Sequence, residues 1–516
     1  MYQTSKALYD KYTDIDLIKR CEKYALWTLP AIFPKDWVRK GNTSGNIPVE
    51  HDYQSVGALL VNSAAPKITS LLFPVRQPFF RIKADDATVE LFKSAAKESG
   101  GTLDDAGIKA MSSDIEREAC EQMFKNASYA QLQQLTAYLL ITGNALVHRK
   151  DEKTLVYSLH NYVVKRDGSG TVMCIILREF LAFNSLPVSI QQRINKTGRY
   201  KGDEEVELYT KIERHSNEGK TTYRVTQEIE GEDLGTFAEY PEKLCPYIPV
   251  YWKLVNGDSY GRGQVEEFAG DFAKLSDLSK ALTFYELEAC SIINLVKPGA
   301  TTDMDSLNTA AVGAYVQGNP QDISKHESGE YQKIAQITNS LTSIFQRLAP
   351  IFMYKANVRD AERVTKEEIR QAAEEVDNLM GGVYSAISTQ LHEPLAYLGT
   401  KEVRPELEAI LSKQGFQFSI LVGLAALGRS AELNLLTQAS QVVSAIVPAL
   451  KATSQRFDAE RIIDTVFQSY GLNIADYTYT IEELKQQQKD NQAAMMQQQQ
   501  QLNPIDAVSA VQGVIQ

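Results

Sequence analysis

The sequence predicts an α+β fold that is mainly α-helical. Three observations predict it. Apolar residues recur at helical spacing up to about residue 145. Strand-type alternation punctuated by turns follows, to about residue 255. From Gly261 onward helical spacing returns and persists.

The totals set the frame. A chain of 516 residues is too long for one simple core and suits about two to four domains. A hydrophobic content of 43% and a charged content of 23% are those of a chain that mostly folds. A net charge of −11 argues against a surface that coats nucleic acid by general basicity, and leaves room for a local basic ring or loop.

Residues 8–26 carry a mixed helical pattern that stops before Pro30. In DYQSVGALLVNSAAPKITSLLFP, Val56, Leu60, Ala64, Ile68 and Leu72 keep helical spacing, and Pro66 is expected to kink or split the helix. One helix is expected from Asp114 to Ile141, ending at Gly143. PVRQPFFRI, from Pro74 to Ile82, reads as core because phenylalanine prefers burial.

Two β-rich runs about Asp167-Gly168 signal a hairpin. A second hairpin alternates through Val206, Leu208, Thr210 and Ile212 and turns at Asn217-Glu218-Gly219. CPYIPVYWKL is a short strand. Residues 145–255 are therefore expected to form one antiparallel sheet.

Val265 to Ile292 form one long helical stripe, closed by Pro298-Gly299. A short irregular insert follows, bearing Asp303, Asp305, Asp322, Lys325 and His326. A second striped helix runs from about Tyr331 to Tyr354, with a bend expected at Pro350. Two long helices around a small module make a stalk with a tip. Stripes this long need more cover than one hairpin supplies, so other subunits are expected to provide it.

A charged loop with Arg359 and Arg363 then abuts a capping box, Thr365-Lys366-Glu367-Glu368. Thr365 is the N-cap and Glu368 its partner. The helix behind it runs to Pro394, with a kink expected at Gly381-Gly382. Residues 402–470 read as mostly helix, and Gln486–Gln501 as a low-complexity tail, disordered or a frayed helix.

Catalytic constellations do not emerge. Gly219-Lys220-Thr221 lacks the upstream glycine of a phosphate loop, since position 214 is arginine. The GRG at Gly261 has no third glycine of a dinucleotide fingerprint. Six scattered histidines show no metal spacing, and His392-Glu393 reads as a cap or a surface pair. Cys21, Cys120, Cys174, Cys245 and Cys290 are far apart and read as reduced, buried side chains. No cofactor or metal is expected. The N-terminus shows no signal-peptide core, and no apolar run is long enough to span a membrane.

Several stretches taken together resemble the portal proteins, or head-to-tail connectors, of short-tailed bacteriophages. They include CEKYALWTLPAIFPKD, REFLAFNSLP, CPYIPVYWKLVNGDSYGRGQVEEFAGD, ERVTKEEIRQAAEEVDNLMGGVYSAISTQL and GLAALGR. The resemblance covers roughly residues 1–430, and the Gln-rich tail matches only in character. It implies a ring, usually of twelve subunits, at one capsid vertex. It implies a wing at 1–260, a stem helix at 261–296, a clip at 297–329 and a second stem helix at 330–357. A tunnel loop and tunnel helix would fill 358–399, a helical crown 400–480, and the tail 481–516.

The implied partners are further copies of the chain, double-stranded DNA bound without sequence preference, major capsid and scaffold proteins, the terminase large subunit and tail adaptor proteins. The ATPase would lie in the terminase, and this chain would be no enzyme. Arg359, Arg363 and Lys366 would face DNA from the tunnel loop. Arginine suits salt bridges between adjacent subunits equally well, and that alternative stays open. Two other readings stay open beside the portal: a monomeric helical adaptor, and an enzyme with an unrecognised site in the 145–260 sheet.

Overall fold

The structure is a computed structural model. It describes residues 4–35, 49–74, 78–82, 105–125, 128–195, 200–202, 204–217, 220–290, 293–299, 302–311, 314–326, 331–354, 383–411, 417–420 and 440–445, with Lys93, Ile463 and Val466. The chain divides into two units, Met1–Leu424 and Ala425–Gln516. In the second, residues 440–445 are helical.

The first unit is organised around the helix Ser128–Thr142. Leu132, Leu135, Leu139 and Ile141 are buried, and so are Thr136, Ala137, Tyr138 and Leu140 on its other sides. A helix apolar on every side belongs in the middle of a core. Ile15–Leu26 and Val56–Leu72 pack on it. The helix starting at Ile15 is capped by Asp14, whose carboxylate accepts from the Leu17 N–H at 2.9 Å. Thr69 and Thr136 hydroxyls satisfy each other across 2.9 Å between two buried faces.

Pro66 does not split its helix, which is continuous from Val56 to Leu72. Pro66 and Asn62, whose carbonyl loses its N–H partner to the proline, both sit on the exposed side, where water replaces the bond. The expected single helix from Asp114 to Ile141 is two helices, Asp105–Phe124 and Ser128–Thr142.

The expected antiparallel sheet is two sheets. β4 (Tyr162–Arg166), β5 (Val172–Ala182), β6 (Glu205–Asn217), β7 (Lys220–Ile229) and β8 (Glu232–Pro241) form a meander in chain order. Both expected hairpins are there, β4–β5 and β6–β7. β2 (Asn144–Lys150) lies between β3 (Lys153–Tyr157) and β9 (Tyr247–Tyr251) in a second sheet. The Asn144–Tyr251 pairing closes that sheet across more than a hundred residues of chain. β1 (Phe80–Ile82) pairs with β12 (Phe418–Ile420), and Phe79 and Phe80 are fully buried, as the PVRQPFFRI reading expects.

The helix expected to stop at Pro394 continues through Val403. Between Val383–Ile387 and Glu393–Val403, residues Ser388–His392 form a π-helical turn. A proline at 394 removes one N–H and crowds the carbonyl four residues back. The wider π turn relieves both. His392 is not on the surface. Its buried Nε2 bonds the Leu72 carbonyl at 3.0 Å, so it caps the end of another helix. Arg149, buried on β2, grips Glu402 with two bonds of 2.8 and 2.6 Å and Thr154 with a third of 2.9 Å. Glu393–Val403 also packs on Asp105–Phe124. Phe418–Ile420 is strand where helix was expected.

Cys21, Cys120, Cys174 and Cys245 are buried and free, as expected. Burial pushes the thiols of Cys120, Cys174 and Cys245 up to about 12.

Burial also holds three histidines neutral. Burial, with Lys150 adding to it, lowers His148 to about 4. Burial, helped by Arg178, lowers His160 to about 3, which outweighs Glu22 at 3.6 Å. Burial lowers His392 to about 3 against its bond to Leu72. Unfolded histidine takes up its proton near pH 6.5, so each site favours unfolding only below that pH. Each costs about 1.4 kcal/mol per pH unit until its own lowered value is reached. The melting temperature is expected to be flat from pH 8 to 7 and to fall steeply from pH 6.5 to 5, above the main carboxylate range. A flat profile down to pH 5 would show these histidines charged in the fold.

Candidate functional site

The residues singled out for a DNA channel are Arg359, Arg363 and Lys366, with the cap Thr365 and Glu368 and the kink Gly381-Gly382. All of them lie outside the described residues. What the structure does describe is the frame on either side: the junction before the stalk, the stalk itself and its tip.

The junction is the SYGRG segment, Ser259–Gly263. The helix Ser128–Thr142 ends at Gly143, whose φ of +74° favours glycine and whose N–H returns to the Leu139 carbonyl at 3.1 Å. There three backbones cross. A Cβ on Gly143 would lie 2.4 Å from the Arg262 carbonyl carbon and from the Gly263 nitrogen. One on Gly261 would lie 2.7 Å from Tyr251 Cβ, and one on Gly263 2.8 Å from the Leu140 oxygen. The glycines are occupied by this crossing, so the GRG is no phosphate cradle.

The polar groups close around the same point. The Asn144 amide donates to the Gly261 carbonyl and accepts from the Gly261 N–H, both at 2.7 Å. The Tyr260 hydroxyl accepts from the Val164 N–H at 3.2 Å. The Arg166 guanidinium donates to the carbonyls of Ser259 (3.2 Å), Gly170 (3.0 Å) and Pro249 (3.1 Å), and stacks on Tyr251 at 4.9 Å. Burial pushes its pKa down, and the carbonyls supply the solvation that water would give. Trp252, fully buried, donates from Nε1 to Gln264 at 3.1 Å. The two sheets, the central helix and the first residues of the stalk are locked together at this crossing.

From the junction rise Gln264–Glu267 and then the outgoing helix Ala269–Cys290. The return helix is Tyr331–Ile351. The expected stripe reached Ile292, but the helix ends at Cys290. The next residues, Ile293–Val296, form a strand, β10, paired with β11 (Ile323–His326). The inner half of this arm is well packed. Phe272 and Phe352 meet edge to face at 5.7 Å, with Leu275, Ile344 and Leu348 buried beside them. Arg347 donates to the two carboxylate oxygens of Asp271 from Nε and Nη2, and Lys67 donates to the Met353 carbonyl at 2.7 Å. Further out the cover ends, and Phe284 is 54% exposed.

At the tip, the candidate acids divide by role. Asp322 is buried, and one of its oxygens accepts from both the Thr302 N–H (3.2 Å) and the Thr302 hydroxyl (3.0 Å). The same hydroxyl accepts from the Asn319 N–H at 2.8 Å, so Asp322 holds the loop's shape. Asp303 is the N-cap of Met304–Asn308, and its bonds to Ser306 and Asp305 hold its carboxyl below the usual range. Asp305 is exposed. Lys325 and His326 lie on β11.

Two features escaped the sequence reading. One is the glycine crossing, which joins residues far apart in the chain. The other was open to a charge count. The chain holds 65 acids, yet none falls between Tyr331 and Arg359, where Lys333, Arg347, Lys355 and Arg359 supply four bases. The exposed residues of the return helix include Gln332, Gln336, Thr338, Asn339, Thr342, Ser343 and Gln346, all neutral and polar, and its two exposed charges, Lys333 and Arg347, are both basic.

Replacing Gly143 with alanine should lower the melting temperature sharply or prevent soluble expression. Gly168→Ala, with open space around it and ordinary φ, should melt within a few degrees of the parent. Equal melting of the two variants would show that the crossing can relax.

The family described as bacteriophage head to tail connecting protein matches residues 8–474 of the chain. The portal protein of Pseudomonas phage phiKMV is 36% identical over 491 residues, 94% of each chain. The portal protein of Escherichia phage T7 is 30% identical over 439 residues, 83% of this chain and 79% of its own. That of Enterobacteria phage T3 is 31% identical over 458 residues, 86% and 82% of the two.

Proposed function

This chain belongs to the bacteriophage head-to-tail connecting proteins, and from that premise we propose how it does a portal's work. It is a phage portal. Copies close into a ring, with twelve subunits the family's usual number, at one vertex of the capsid. Double-stranded DNA passes inward along the ring's axis during packaging and outward at ejection. The ring is a structural part and does no catalysis; the ATPase is the terminase large subunit. That motor and later the tail adaptors meet the tip, and capsid and scaffold proteins meet the wing. The arm is the stem, β10, β11 and the loop between them are the clip, and residues 358–399 carry the tunnel loop and tunnel helix.

The observation that carries the DNA path is the acid-free run from Tyr331 to Arg359. A surface past which DNA slides must not repel phosphate and must not hold it. A face of amides and hydroxyls with few bases meets both demands. The run leads directly to Arg359, Arg363 and Lys366. Repeated around a ring, these make bands of positive charge in a body of net charge −11 per chain. The capped helix behind them, starting at Thr365 with Glu368, fixes where the bands stand, and Gly381-Gly382 give it a place to bend.

Purified protein should run as a particle of about 690 kDa, twelve times the 57.6 kDa chain, with a central hole under the electron microscope. Persistent monomer in the presence of scaffold and capsid proteins would sink the ring. Arg359→Ala with Arg363→Ala and Lys366→Ala should leave rings intact and cut the DNA retained in filled heads several-fold. It should also flatten the dependence of retention on salt. Packaging and retention at the parent level would take these residues out of the gate.

A further inference from the structure

We infer that Asn256 is a self-modifying site, where the chain converts its own asparagine through a succinimide into aspartate and isoaspartate. The inference stands apart from the ring reading and needs only the folded chain. Asn256-Gly257 is the one Asn-Gly pair in the 516 residues. It forms the tip of a turn in which the Asp258 N–H donates to the Val255 carbonyl at 3.0 Å. Gly257 has a φ of +94° and Asn256 a negative one, the pattern of a type II turn with glycine in third place. All four residues of the turn, Val255 to Asp258, are exposed. A Cβ on Gly257 would meet nothing within 4 Å, so no neighbour shields the glycine nitrogen. Among the described residues, no hydrogen bond holds the Gly257 N–H or the Asn256 side-chain amide. A tip fixed by one turn bond, with no packing around it, opens locally and lets the nitrogen reach the side chain.

The reaction needs water alone. The Gly257 nitrogen loses its proton and bonds to Asn256 Cγ. The Cγ–Nδ2 bond breaks, ammonia leaves carrying that proton, and a five-membered imide closes. Water then adds to one of the two imide carbonyls. Opening at Cγ leaves aspartate at position 256. Opening at the main-chain carbonyl leaves isoaspartate, with the chain routed through Cβ and Cγ. Glycine favours the first step because it has no side chain to crowd the attacking nitrogen. Rival positions are held back. Asn62, Asn184 and Asn339 precede serine, but each lies in a helical segment, whose regular backbone keeps the next nitrogen away from the side chain. Asp167-Gly168 is the acid counterpart of the pair. Asp167 Oδ1 accepts from the Ser169 N–H (2.9 Å), the Ser169 hydroxyl (2.6 Å) and the Thr171 N–H (2.9 Å), so it cannot swing onto the Gly168 nitrogen. Either product at position 256 adds a carboxylate next to Gly257 and Asp258. Those two residues line a cavity of about 490 Å³ whose wall includes the bases Lys11, Arg20, Lys165 and Arg262. The Lys253–Arg262 bridge closes the loop behind the turn, so converted copies differ in charge at the root of the stalk and keep the glycine crossing.

The test holds the purified full chain at mildly alkaline pH, digests samples at intervals and weighs the peptides. The peptide containing Asn256 should gain the mass difference between an amide and an acid, ahead of every other asparagine. It should separate into an aspartyl and an isoaspartyl form. The peptide containing Asp167-Gly168 should show no isoaspartate. Asn256→Gln should lose the conversion and melt within a few degrees of the parent, because glutamine closes the larger ring slowly and the turn is outside the core. A folded sample that keeps Asn256 as the amide, while the urea-unfolded chain converts it, would overturn the inference: the fold would then block the attack. Earlier conversion at another asparagine would overturn it too. Aspartate alone, with no isoaspartate, would mean direct hydrolysis and would remove the succinimide. Each readout is the same for a ring and for a monomer, so none of them bears on the ring reading.

Discussion

The close approach of backbone to backbone at Gly143, Gly261 and Gly263 is the contact on which the rest of the structure depends. A side chain at any of the three would push the end of the central helix away from the start of the stalk. With the glycines in place, Asn144 can pair with the Gly261 peptide as a strand would. Arg166 can then reach three carbonyls from three different segments. The stalk therefore leaves the wing in one direction, fixed by hydrogen bonds to main chain and insensitive to surface charge.

The arm shows how one helix pair divides its labour. Near the root, apolar side chains are buried within the chain, and the Asp271–Arg347 pair adds a modest, half-exposed tie. Further out, apolar side chains remain but their cover does not. A hairpin of two helices cannot bury a stripe along its whole length, because each helix offers only one face to the other. The excess is the physical demand for assembly. It fits a chain whose relatives are portal proteins.

The segment after residue 382 shows the opposite arrangement, firm attachment to the wing. The π turn at Ser388–His392 lets the helix pass Pro394 without stopping. Gln390 accepts from the Tyr251 N–H at 3.0 Å, which satisfies the free edge of β9. His392 caps the helix ending at Leu72, and Glu402 answers the buried Arg149. Whatever the preceding residues do, the chain that follows them is anchored at three points.

Periodicity and turn chemistry, both local, determined much of this protein. They predicted the helical character of the first 145 residues but not where its helices break, the hairpins β4–β5 and β6–β7, and an arm of two helices around a small module. Local signals reach these features because each is made by residues close in sequence. The resemblance carried in blocks such as SYGRG pointed to the family that the comparisons bear out. Tertiary structure decided what depends on distant partners. The split into two sheets rests on the pairing of Asn144 with Tyr251, and β1 finds its partner at β12. His392 reads in the sequence as either a cap or a surface residue, and burial against Phe73 and Phe79 decides for the cap. Asp322 looks like one more acid of a solvated loop, and Thr302 turns it into the loop's brace. In each case the sequence names the group, and only the fold supplies the second atom that gives it a role.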